Sequence, residues 1–125
     1  MSDIRSHRDL IAWQKAVELT LSVYSATQRF PESEKFGLVS QLRRAAVSAA
    51  SNIAEGYGRG TTTDYIRFLR TSRGSLYEID TQLLIAHRLN YLAPEDFKAI
   101  ESQLNECSRV LAGLIRSLED RRNEP

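Results

Sequence analysis

Residues 38–56 read Leu38-Val-Ser-Gln-Leu-Arg-Arg-Ala-Ala-Val-Ser-Ala-Ala-Ser-Asn-Ile-Ala-Glu-Gly56, and this stretch decides the fold. Its apolar residues recur at alternating steps of three and four, which places them on one side of an α-helix. These positions are Val39, Leu42, Ala46, Ala49 and Ile53. Because the alanine and serine side chains around them are small, a second helix can approach closely. The stretch therefore predicts a helix that packs tightly on a neighbour.

A second stripe of the same helix is polar. It comprises Gln41, Arg44, Ser48, Asn52 and Glu55. The expected partners of this polar seam on the following helix are Glu78, Thr81 and Gln82. Buried polar networks can fix helix register or oligomeric state, so a structural role is one interpretation. A ligand-binding or pore-lining role is the other.

Three further helical segments surround this one in the sequence, and all four show apolar positions at helical spacing. The predicted helices span about residues 10–28, 36–57, 62–89 and 94–120. Asp9 is the expected N-cap of the first helix, Pro31 ends it, and Pro94 opens the fourth. Short connections between helices favour an antiparallel arrangement. We predict an all-α fold: one domain of 125 residues, an antiparallel up-down-up-down four-helix bundle.

The first helix and the flank of the third are more apolar than one bundle core requires. Ten of the fifteen residues from Leu10 to Tyr24 are apolar. Exposed apolar surface of this kind marks an interaction site, so we expect a homo-oligomer. The alternative is a first helix that lies deep in its own bundle, with Ile11, Trp13, Leu19 and Val23 all enclosed.

The charges are nearly balanced, with 17 basic and 16 acidic residues, but 14 of the basic residues are arginine. Arginine suits bidentate contacts with phosphate or carboxylate groups. Residues 40–75 carry a net charge of +4 and residues 76–108 a net charge of −4. The candidate nucleic-acid contacts, RNA or DNA, are Arg43, Arg44, Arg59, Arg67 and Arg70. A solvated or ion-paired surface is the alternative, since no recognised nucleic-acid motif frames them.

No catalytic motif is present, so we predict no enzymatic activity, no cofactor and no metal. His7 and His87 stand alone, and Cys107 occupies an apolar position between Leu104 and Leu111. Gly56, Gly58 and Gly60 form either an anion-binding loop or a simple turn. The N-terminus has no apolar h-region, and no apolar run is long enough to span a membrane, which favours a cytoplasmic protein without membrane contact.

Three segments resemble the ribosomal-RNA intervening-sequence proteins. They are Asp9-Leu-x-x-Trp-Gln-Lys-Ala16, Gly37-Leu-x-x-Gln-Leu-Arg-Arg-Ala-Ala-x-Ser48 with Ser51-Asn-Ile-Ala-Glu-Gly56, and Gly74-Ser-Leu-x-Glu-x-x-Thr-Gln-Leu83. Members are encoded within insertions of some bacterial 23S ribosomal RNA genes and elsewhere in many genomes. This family often has Ile-Pro after the serine equivalent to Ser48, where this chain has Ala49-Ala50. Because proline kinks helices, the second helix is expected to be straighter here.

This resemblance implies a small bundle that assembles into a ring, commonly of five copies. It also implies kinship with the accessory protein of diversity-generating retroelements, which works with a reverse transcriptase and nucleic acid. Expected partners are therefore further copies of the chain, RNA or DNA, and a nucleic-acid enzyme such as a reverse transcriptase. A structural or protein-interaction module without nucleic-acid affinity is the alternative function.

Overall fold

The computed structural model describes residues 3–124, and this part of the chain is helical with no β-strand. Four long helices follow one another: α1 (Ile11–Thr27), α2 (Leu38–Tyr57), α3 (Thr62–Arg88) and α4 (Pro94–Arg122). Each helix packs on two neighbours, with α1 and α3 both lying between α2 and α4. The predicted fold class, an antiparallel four-helix bundle, is confirmed.

The core consists of one apolar stripe from each helix. The longest buried side chains include Leu19 of α1, Leu42 and Ile53 of α2, Leu69 and Ile79 of α3, and Leu111 of α4. These residues recur at helical spacing, as the sequence pattern requires. In α4 the helical spacing from Leu104, Cys107 and Leu111 predicts Leu114 as the next inward position, but Ile115 is buried and Leu114 is only half-buried. Both are apolar neighbours, and the turn of the helix places Ile115 inward.

The start of α1 differs from the expected one. Asp9 is not the N-cap of α1: its carboxylate accepts hydrogen bonds from the backbone N–H groups of Arg5 and Ser6 and so closes a 3-10 turn at His7–Asp9. Leu10 is the N-cap residue instead.

Left-handed backbone occurs at Asn90 (φ 63°) and at no glycine of residues 3–124. There the Tyr91 N–H donates to the Ala86 carbonyl, the Schellman bond that ends α3.

Capping chemistry accounts for the starts of α3 and α4. The Thr61 hydroxyl accepts a hydrogen bond from the Asp64 N–H at 3.1 Å and so caps α3, and Pro94 is the first residue of α4. The second helix continues without interruption through Ala49 and Ala50. The backbone therefore keeps its hydrogen bonds at the point where proline would remove one.

Candidate functional site

Small residues line the contact between α2 and α3. Ala45, Ala49 and Gly56 of α2 are buried against α3, and Ser72 and Ser75 are buried on the α3 side. The Ser72 hydroxyl donates to the Ala49 carbonyl at 2.7 Å, so a short side chain of α3 reaches the backbone of α2. The two helices are therefore joined by hydrogen bonds as well as by apolar contact.

The predicted polar seam lies on this side of α2, and Ser48 is at its centre. The Ser48 hydroxyl oxygen accepts from Ser75 Oγ at 3.0 Å and from Asn52 Nδ2 at 3.1 Å. Further along, Gln82 Nε2 donates to Gln41 Oε1 at 3.3 Å. The apolar spacing of the third helix places Ser72 on its packing face, but sequence reasoning missed Ser75, although both hydroxyls face the alanine-rich side of α2. The last predicted position of the seam on α2, Glu55, pairs instead with Arg59.

A polar groove opens where α2 begins and α3 ends. We name it the α2–α3 groove; it has a volume of about 580 Å³ and is lined by Phe36, Gln41, Arg44, Ser48, Glu78 and Gln82, among others. Arg44 and Glu78 form no ion pair or hydrogen bond within residues 3–124. The Gln82 Oε1 atom is buried there without a hydrogen-bond partner. The groove thus holds charged and amide groups that internal contacts do not satisfy.

The five predicted arginines do not form one patch. Arg59 and Arg67 come together at the α2–α3 turn, where their guanidinium carbons lie 4.5 Å and 5.0 Å from the centroid of the Phe68 ring. Arg59 pairs with Glu55 and Arg67 with Asp64, both at 3.2 Å. Arg70 faces α4 and pairs with Glu119. These pairs lie at the surface, so each contributes little to stability.

Arg43 and Arg44 are consecutive, but they point to different neighbours. Arg43 Nε donates to the Thr27 hydroxyl at 2.9 Å, and its Nη2 donates to the Tyr24 carbonyl at 3.3 Å. The Arg43 guanidinium also lies 4.6 Å from the centroid of the Tyr24 ring. Arg43 therefore ties α2 to the last turn of α1, while Arg44 lines the α2–α3 groove.

A second groove lies on the outer face between α1 and α2, and its lining carries no charged residue. We name it the α1–α2 groove; it has a volume of about 280 Å³, and its apolar lining consists of Trp13, Val17, Leu21, Val47, Ala50 and Ala54. Leu21 is 65% exposed and Val47 is also exposed. The half-buried Ala50 and Ala54 contribute small side chains to this lining, and the exposed Leu21 and Val47 form its rim.

The apolar residues of α1 are only partly enclosed within the single chain. Leu19 and Val23 are enclosed, Trp13 is half-buried and Ile11 is 59% exposed. On the opposite side of the bundle, Tyr77 of α3 is 68% exposed and Leu84, two turns further on, is exposed as well. The single chain therefore leaves apolar surface in contact with solvent on two faces.

Burial raises the pKa of two titratable side chains and so makes their reactive, deprotonated forms rare. Burial raises the pKa of the Cys107 thiol to about 11, so the nucleophilic thiolate is scarce at neutral pH. Burial also raises the pKa of Tyr65 to about 12, and its hydroxyl has no hydrogen-bond partner. Among residues 3–124, no three His, Cys, Asp or Glu side chains are grouped so that they could hold a metal ion. None of the helices in this range is both long enough and apolar enough to cross a membrane.

The sequence profile of the family described as 23S rRNA-intervening sequence protein matches residues 8–113. The chain therefore belongs to this family, and the match indicates no enzymatic family. The comparison with curated proteins gave no match.

Among solved structures, the chain is similar to a protein of unknown function from the S23 ribosomal protein family of Bacteroides thetaiotaomicron. The TM-score is 0.76 and the sequence identity 21%, over 84% of this chain and 98% of that one. At this identity the likeness supports the fold alone.

Proposed function

We propose that the protein is a non-enzymatic, homo-oligomeric bundle that binds nucleic acid, or an enzyme acting on nucleic acid, through its arginine side chains. The observation that carries self-assembly is the uncharged α1–α2 groove, whose rim residue Leu21 is 65% exposed. Covering this surface removes apolar area from water at roughly 25 cal/mol per Å². The occupant of the groove is a second copy of the chain.

The second copy contributes a different face, so the assembly is a ring. The exposed Tyr77 and Leu84 lie on the α3–α4 side, across the bundle from the α1–α2 groove. A contact between two different patches is head-to-tail, and it closes into a ring when the rotation between copies permits. Five copies is the number that the family resemblance suggests.

Assembly is tested by light scattering on the purified chain at micromolar concentration. We expect wild type to have five times the 14.2 kDa mass of one chain. Leu21→Glu places a charge in the groove and should give a lone chain. Leu89→Glu is the matched control, since Leu89 is exposed at the end of α3 and lies outside both patches. A wild-type mass of 14.2 kDa would refute the proposal.

Nucleic-acid contact is proposed at Arg44, Arg59 and Arg67. Arg44 has no internal acidic partner within the described residues, and the other two hold exposed ion pairs beside an aromatic ring. Guanidinium groups of this kind bind phosphate in a salt-dependent and sequence-independent way. An enzyme partner such as a reverse transcriptase would contact the same arginines through the nucleic acid that the enzyme binds.

The binding experiment uses random single-stranded RNA and DNA over a series of salt concentrations. We expect the triple replacement of Arg44, Arg59 and Arg67 by alanine to weaken binding and to flatten the salt dependence by roughly 0.7 per lost contact. Arg116→Ala, on the outer face of α4, is the control. Absence of wild-type binding at low salt would favour the alternative, a protein-interaction module. That alternative is favoured by Arg43 and Arg70, which are engaged within the chain.

A further inference from the structure

The start of α2 exposes an aromatic ring beside unsatisfied polar groups. Phe36 is 88% exposed, the most exposed large apolar side chain among residues 3–124, and it lines the α2–α3 groove. The Lys35 ammonium lies 5.6 Å from the centroid of the Phe36 ring. An apolar ring this exposed gains nothing from the fold of its own chain, whereas it offers a flat surface to a ligand. A cation beside it favours a ligand that also carries negative charge.

The wall of the groove adds hydrogen-bonding groups with unused capacity. Gln82 donates one amide hydrogen to Gln41 Oε1, which leaves the Gln41 amide NH₂ unengaged and the Gln82 Oε1 buried without a partner. A buried acceptor of this kind costs free energy unless something donates to it. An amide donor beside an amide acceptor matches the edge of a nucleobase, which presents donors and acceptors side by side.

The groove also contains one charge of each sign at its margin. Arg44 contributes the guanidinium from α2, and Glu78 contributes a carboxylate from α3. Carboxylates accept hydrogen bonds from the amino groups of bases, and guanidinium groups bind phosphate. Its volume of about 580 Å³ falls within the range of small-molecule sites.

We propose that the α2–α3 groove binds one unstacked nucleotide, with the base stacked on Phe36 and read by Gln41, Gln82 and Glu78, and the phosphate held by Arg44 and Lys35. This inference rests on the proposed nucleic-acid binding and gives it a specific site. Aromatic stacking of splayed bases is how proteins select single strands over duplexes, because bases in a duplex are already stacked. The nucleotide belongs either to a single strand or to a free mononucleotide.

The test compares the affinity of the full chain for a single-stranded 12-mer RNA, for a duplex of the same length, and for AMP, GMP, CMP and UMP. We expect the single strand to bind about tenfold more tightly than the duplex, equivalent to about 1.4 kcal/mol. Phe36→Leu keeps apolar bulk but removes the aromatic face, and it should abolish that difference. Phe36→Tyr should preserve it. Because the side chain is exposed, neither change threatens folding.

Each outcome decides between the proposals. Wild-type binding that Phe36→Leu leaves unchanged, while the loss of Arg59 and Arg67 weakens it, would overturn the nucleotide site and keep the proposed function. No wild-type binding to any of these ligands would overturn both. Binding of mononucleotides with the same sensitivity to Phe36→Leu, but not of the 12-mer, would support the groove and assign it to a free nucleotide.

Discussion

Alanine at Gly56 should destabilise the protein, whereas alanine at Gly74 should stabilise it. Both glycines lie inside helices, Gly56 in α2 and Gly74 in α3. A Cβ atom at Gly56 would lie 2.8 Å from the Phe68 Cβ and 3.2 Å from the Tyr65 carbonyl oxygen. Both atoms are fixed by the backbone of α3, so a side-chain rotation cannot move them. A Cβ atom at Gly74 would meet nothing within 4 Å.

The magnitudes follow from two opposing contributions. Alanine is favoured over glycine in a helix interior by about 0.8–1 kcal/mol, and Gly74→Ala should gain this amount in full. The expected rise in Tm is roughly 3–5 °C for a chain of this size. At Gly56, the second-last residue of α2, at most this gain is set against an overpacking cost of about 1–3 kcal/mol. We expect a net loss of about 1 kcal/mol and a similar fall in Tm.

The assay is thermal unfolding followed by far-ultraviolet circular dichroism. All variants are compared at one protein concentration, because self-assembly makes Tm depend on concentration. Gly113→Ala in α4 is a second control with open space around the new methyl group. A Tm for Gly56→Ala at or above that of wild type would refute the close α2–α3 packing. A lower Tm for Gly74→Ala would show that another copy packs on that surface.

Three further predictions concern side chains. Arg43→Ala should lower the free energy of unfolding, measured by urea titration, by about 1–2 kcal/mol, because it removes two hydrogen bonds to α1. Arg44→Ala should change this free energy by less than about 0.5 kcal/mol. Equal effects of the two replacements would contradict the different orientations of the two side chains. The Cys107 thiol, whose pKa is raised to about 11, should react with a thiol reagent at a pH of about 8 only after unfolding in urea; rapid reaction of the folded chain would contradict its burial. Lys15 pairs with Glu106 at 2.7 Å and lowers the pKa of the Glu106 carboxyl in the folded chain. The pair therefore stabilises the fold at pH values above the pKa that Glu106 has in the unfolded chain. This stabilisation is lost as the pH falls through the lower pKa of the folded chain. Glu106→Gln should therefore lower Tm at neutral pH and not near a pH of roughly 2.5, and an equal loss at both would show that the effect is not ionic.

The fold class could be predicted because the period of the apolar residues carries it. Each helix needs only one continuous stripe at steps of three and four, and most of the predicted stripe positions are buried. The period does not choose between adjacent apolar residues, which explains why Ile115 is buried where Leu114 was expected. It also does not distinguish a capping aspartate from one that closes the preceding turn, which is the case of Asp9.

The candidate site was harder to predict, because its chemistry depends on contacts between distant residues. Arg70 meets Glu119, which lies 49 positions later in the chain, and no local pattern announces this pair. Phe36 was the first residue of the predicted second helix, and only the observed start of α2 at Leu38 shows that the ring lies outside the helix. The sequence shows which residues carry charge, and the packing decides which of those charges remain available.

The pair Arg43-Arg44 illustrates how packing divides a sequence motif between two roles. Consecutive residues of an α-helix point about 100° apart, since 3.6 residues complete one turn. On α2 that angle carries Arg43 to the last turn of α1 and Arg44 to the α2–α3 groove. A basic dipeptide is therefore not one patch here: one guanidinium holds two helices together, and the other lines the groove without an acidic partner among residues 3–124. It follows that the proposed binding surface is organised around Arg44 and Phe36 rather than around the number of arginines in the sequence.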